Sequence, residues 1–206
     1  MNTSLDKLPL NLFDVVVIVV LALGIFRGRR HGMSEELLSL VKWLAILFGC
    51  AALYQPGGEL IAQFTSMFGL LSCYLMAYVT GILLLFLLFT GIKRVLGGKL
   101  LGSDIFGRAE YYLGMGSGLV RFSCILLAAL ALLNARYFSP TEVRAMEKFQ
   151  DDVYGSNFFP TLHTVQSTVF DRSLTGPWIK GNLGFLLIKP TEPEQKELHQ
   201  KEFAFP

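Results

Sequence analysis

The chain has 206 residues, of which 52% are hydrophobic and 17% charged, with a formal net charge of +2. That composition lies outside the ordinary soluble range and places the protein in a lipid bilayer. No basic face with interleaved aromatics marks a nucleic-acid partner, and Cys50, Cys73 and Cys124, each inside an apolar stretch, read as buried small hydrophobes and not as a disulfide framework or metal site.

In chain order, the first predicted crossing is residues 10–26. From Leu10 to Phe26 there are 17 residues with one charge, Asp14, the short end of what a hydrocarbon core of about 30 Å requires. Arg27, Arg29 and Arg30 stop it. Basic residues that follow the apolar run, with no A-x-A site, argue against a cleaved signal peptide. Asn11 three residues before Asp14 has the spacing of a capping box. The other reading of Asp14 is an acid that lines a pathway or pairs with a base on another helix, because ionisable groups inside membranes tend to be functional.

The second predicted crossing is residues 35–54, with Ser34 as N-cap and Glu35 and Glu36 in the first turn. Lys42, about two turns in, either snorkels back to the basic side or pairs with Glu35 or a neighbouring carboxylate. Gln55-Pro56-Gly57-Gly58 is expected to break the chain, leaving Glu59 to Phe68 as a surface helix. The third crossing, residues 70–92, has 23 residues without a charge and ends at Lys93 and Arg94. Its connection to residue 110 is glycine-rich, but Gly98-Lys99-Leu100 lacks the hydroxyl that a phosphate loop needs for magnesium.

The fourth crossing, residues 111–133, carries Gly114 and Gly118. Like Gly24 and Gly28 in the first, this pair at i and i+4 lets helix backbones approach closely, and such contacts drive association in lipid. Arg121, about ten residues in, requires either a partner, with Asp14, Glu35, Glu36 and Asp104 the candidates, or a route back to the basic side. Asp14, Gly24 and Gly28 recur with the same spacing in Asp104, Gly114 and Gly118, which suggests paired close-packing helices.

Loop charge sets orientation. The first and third connections are basic and the second, Gln55 to Gly69, has no Lys or Arg, which places both termini outside the cytoplasm. Residues 1–136 therefore read as a four-helix membrane domain and 137–206 as a small extramembrane tail of amphipathic helices, Pro140 to Val153 and, more weakly, Ser156 to Phe170. Phe158, Phe159, Phe170, Trp178 and Phe185 are expected to pack on the bundle or rest at the interface. His163 and His199 lack ligand spacing, so neither a metal nor another cofactor is expected.

Leu12-Phe13-Asp14 opening an apolar helix, Gly24-Ile25-Phe26-Arg27-Gly28, the run Glu35 to Trp43, and Asp104 with Gly114, Gly118 and Arg121 together resemble the colicin V production protein (CvpA) family of bacterial inner-membrane proteins. The resemblance covers about residues 8–165 and leaves the chain after Arg172 unmatched. It implies an all-α integral membrane protein with four transmembrane helices, associated with toxin (bacteriocin) production or export and with envelope homeostasis. Two functions follow as expectations. One is a non-enzymatic factor that assembles with itself or other membrane proteins through the faces of Gly24, Gly28, Gly114 and Gly118. The alternative is a small channel or transporter subunit in which Asp14, Lys42 and Arg121 line a polar path. An enzyme is not expected, because no catalytic constellation shares one level of the bundle.

Overall fold

A computed structural model describes residues 11–65, 68–100, 107–155 and 160–192. Leu10, Asp104, Phe158, Phe159 and His199 lie outside them. Among the described residues the regular structure is helical: α1 (Leu12–Phe64), α2 (Leu70–Leu100), α3 (Glu110–Asn134), α4 (Pro140–Tyr154), α5 (Leu162–Phe170) and α6 (Thr175–Asn182), with short 3-10 turns at Gly107–Ala109 and Gly184–Leu186. Arg136 and Thr191 add one isolated parallel bridge.

The first two predicted crossings lie on the two arms of α1. Only Gly32 departs from helical geometry, at φ 74° and ψ 171°, in the left-handed half of backbone space that a residue without a Cβ enters at little cost. Gly32 abuts the Glu110 side chain, yet Glu36, four residues on, reaches Arg121 on α3. The second arm therefore doubles back along the first. Ser34 is not the N-cap that its position suggests: its hydroxyl is buried without a hydrogen-bond partner, and its backbone N–H points at the Glu110 carboxylate, 3.4 Å away.

The expected break at Gln55 to Gly58 does not occur, and the helix continues through Pro56 to Phe64. The two glycines serve contact with α2 instead of a turn. A Cβ on Gly58 would collide with the Tyr74 ring, and one on Gly57 would touch Ala77 at 3.4 Å. Close packing of this kind re-supports a helix whose proline has deleted one amide donor. Lys93 and Arg94 likewise do not end α2, which runs to Leu100.

α2 returns antiparallel to the second arm, with Gly81 against Cys50 and Gly49 against Leu85. α3 returns antiparallel to the first arm. The result is four antiparallel segments with Arg27, Arg29, Arg30, Lys93 and Arg94 at one end and Asn11, Tyr54 and Asn134 at the other. Two helices, Leu70–Val95 and Glu110–Asn134, are long and apolar enough to cross a membrane; only 6% of the apolar window in α2 is buried against 39% in α3. α2 is thus the peripheral element.

The tail is not a separate appendage among the described residues. Val169, Phe170, Ile179, Leu186, Leu187 and Ile188 share one core with Ile46, Tyr54, Leu127 and Ala131 of the bundle. Asn134 donates to the Ile188 carbonyl at 2.9 Å and Lys189 donates its N–H to the Tyr54 hydroxyl at 3.3 Å, closing the end of the bundle. Phe170 is in that core, whereas Trp178 and Phe185 are 61% and 68% exposed.

Candidate functional site

Three arrangements concentrate the polar and close-packed residues. The first is a glycine seam. Gly24, Gly28 and Gly32 stand four residues apart on the first arm, so they lie on one helix face. Opposite them, Gly114 and Gly118 present the matching face of α3. A Cβ on Gly24 would sit 2.8 Å from the Gly118 carbonyl oxygen, and one on Gly114 would sit 2.5 Å from that of Gly28. The two stripes therefore face each other inside one chain. The reversal at Gly32 and the return of α3 make them complementary, and each fills the other's groove. Gly116, between them in sequence, meets nothing within 4 Å.

The second is an ion pair. Arg121 Nη1 lies 2.6 Å and 2.9 Å from the two Glu36 carboxylate oxygens. Of the four acids that the sequence offered, Glu36 is the one that the reversal at Gly32 brings alongside α3. Glu36 is 4% and Arg121 18% exposed at the side chain, so neither charge is lost to bulk water. Arg121 Nε remains buried without a partner.

The third is a latch at the opposite end. Asp14 is 2% exposed and accepts four hydrogen bonds. One comes from the Asn11 backbone N–H at 3.0 Å and completes the capping box that the sequence spacing predicts. The other three come from the tail: the Leu174 and Thr175 N–H groups at 3.1 and 3.0 Å and the Thr175 hydroxyl at 2.7 Å. One carboxylate thus neutralises the positive ends of α1 and α6 together. Asn11 adds a bond from its Nδ2 to the Thr168 carbonyl at 2.9 Å.

Asp14 is not brought into one path with Arg121, whereas Lys42 lies within electrostatic reach of the Arg121 guanidinium. Asp14 sits ten residues beyond Gly24, the level of Arg121, which is about 15 Å along the helix. Lys42 is half-buried with its ammonium 4.2 Å from the Phe86 ring centroid, and no ion pair to it occurs among the described residues. The tail's three donors to Asp14 were invisible in the sequence, since two of them are backbone groups. No group of three or more His, Cys, Asp or Glu that could hold a metal occurs among the described residues.

These features define an all-α antiparallel bundle closed by its own tail, with helices apolar enough for a membrane. The chain belongs to the colicin V production protein family, which matches residues 13–165. The match takes in the glycine seam and the Glu36–Arg121 pair but ends before Leu174 and Thr175. No curated protein and no solved structure matches the chain.

Proposed function

We propose that the protein is a non-enzymatic factor of the bacterial inner membrane that supports bacteriocin production or export, crossing the bilayer four times with its basic end inside and its tail outside. The observation that carries the embedding is a belt of exposed apolar side chains between the two ends. It includes Val15, Ile18 and Val19 on the first arm, Phe48 and Leu53 on the second, Leu83, Leu84 and Leu87 on α2, and Leu119 and Val120 on α3. Exposed apolar side chains in such number would be an aggregation liability in water, whereas lipid tails cover them without cost. Support for the role comes from the family description, colicin V production. Because the glycine seam is closed within the chain, assembly with itself or with other membrane proteins falls to lipid-facing surface, chiefly that of α2.

The channel reading has less support, since Asp14 and Arg121 are each committed to protein partners and only Lys42 is left to line a path. A bacteriocin-producing strain lacking the protein is expected to lose secreted toxin and to regain it with the wild-type chain and with Lys42→Gln. Liposomes holding the pure protein should pass no more ions than empty ones. Ion flux that disappears in Lys42→Gln would replace this reading with a channel.

A further inference from the structure

A cavity of about 150 Å³ lies where the end of α3 meets α5 and α6. At about 30 Å³ per water it has room for a compact polar group. Arg136 and Lys180 bring positive charge to it, Asp171 brings negative charge, and His163 and Phe138 form part of its wall. The backbone holds Arg136 in place. The Tyr137 N–H donates to the Thr191 carbonyl at 3.1 Å, the Thr191 N–H to the Ala135 carbonyl at 2.9 Å, and Gln166 Nε2 to the Arg136 carbonyl at 3.0 Å. The guanidinium stacks 4.6 Å from the Phe138 ring centroid and pairs with Glu142 through Nη2, while its Nε is buried with no hydrogen-bond partner. Lys180 lies 5.9 Å from the Phe170 ring centroid and has no ion pair among the described residues. The Arg136 guanidinium and the unpaired Lys180 ammonium on one cavity favour a group that carries negative charge, and phosphate matches both.

We propose that this cavity binds the headgroup of a membrane lipid of the phosphoethanolamine class. Arg136 and Lys180 take the phosphate, and Asp171 takes the ammonium. Two further observations select this chemistry. Arg136 is already paired with Glu142, which leaves Lys180 and Asp171 as one open charge of each sign on the cavity, so the site suits a zwitterion better than a net anion. The apolar stretch of α3 ends at Asn134, two residues before Arg136. On the four-crossing reading, on which this inference rests, that is the level of the lipid phosphates in the outer leaflet.

The test is native mass spectrometry of the full-length protein in detergent, titrated with phosphatidylethanolamine, phosphatidylglycerol or free O-phosphoethanolamine. One phosphatidylethanolamine should be retained in preference to phosphatidylglycerol. Lys180→Gln should weaken retention about tenfold, the loss expected for one charge-assisted hydrogen bond. Asp171→Asn should narrow the preference between the two lipids, and Lys148→Gln, on the exposed face of α4, should change nothing. Equal retention by wild type and Lys180→Gln would overturn the site. Binding of free O-phosphoethanolamine with the same dependence on Lys180, and no lipid retained, would overturn the assignment to a lipid. Thiol labelling of the two ends checks the topology separately.

Discussion

Gly28→Leu is expected to separate the first arm of α1 from α3 and to leave the protein unable to hold its fold in detergent. A Cβ at this position falls on the Gly114 carbonyl and comes within 3.0 Å of the Gly118 Cα. Both obstacles are backbone, so no rotamer change makes room, and the helices must move apart along the whole seam. Overpacking of an interior typically costs about 1 to 3 kcal/mol where side chains can yield, so about 3 kcal/mol or more is expected here. Gly116→Ala supplies the contrast on the same helix. No neighbour meets its Cβ, and replacing a helical glycine gains up to about 1 kcal/mol. Unfolding in a denaturing detergent titration should therefore move in opposite directions for the two variants. Tolerance of Gly28→Leu would mean that the seam is not the contact holding the first arm to α3.

Arg121→Leu is the second large loss. It leaves the Glu36 carboxylate almost fully enclosed with no counter-charge, a change that costs about 3 to 5 kcal/mol when one member of a buried pair is removed. The double variant Glu36→Leu with Arg121→Leu should recover most of that stability, because two apolar side chains then meet where two charges did. Arg121→Lys should fall between them. Both short contacts to Glu36 come from the single atom Nη1, so the pair uses a point charge and not the two-nitrogen fork of a guanidinium. A stability series from thermal melts of the three variants decides the matter. If the double variant is no better than Arg121→Leu, the pair contributes geometry that packing cannot replace.

The sequence showed what depends on local chemistry. The apolar runs, the Asn11–Asp14 cap, the limits of the fourth crossing near 111–133 and the charged helix from Pro140 follow from composition and spacing over a few residues. Four of the five seam glycines, Gly24, Gly28, Gly114 and Gly118, stood out in the sequence by their spacing as residues small enough for backbone contact, while Gly32 did not. Their partners did not either, since spacing along one helix says nothing about which helix lies opposite. For the same reason Glu36 could not be told from three other acids as the partner of Arg121. Pro56 and its two glycines misled because a turn and a tight helix contact call for the same small residues. The tail was read as an appendage since its apolar residues are scattered among Gly and Pro, a pattern that does not reveal that Val169, Ile179 and Ile188 share the core of the bundle.

On the four-crossing function proposed above, the reversal at Gly32 puts the basic end and the tail end on opposite sides of the membrane. Single cysteines at Arg29 and Gly181, both exposed, measure this directly, since the native Cys50, Cys73 and Cys124 are 2%, 0% and 3% exposed and contribute little background. With a membrane-impermeant maleimide, Gly181→Cys should label in cells whose inner membrane is intact, and Arg29→Cys only after that membrane is opened. Labelling of both positions from the same side would contradict the account.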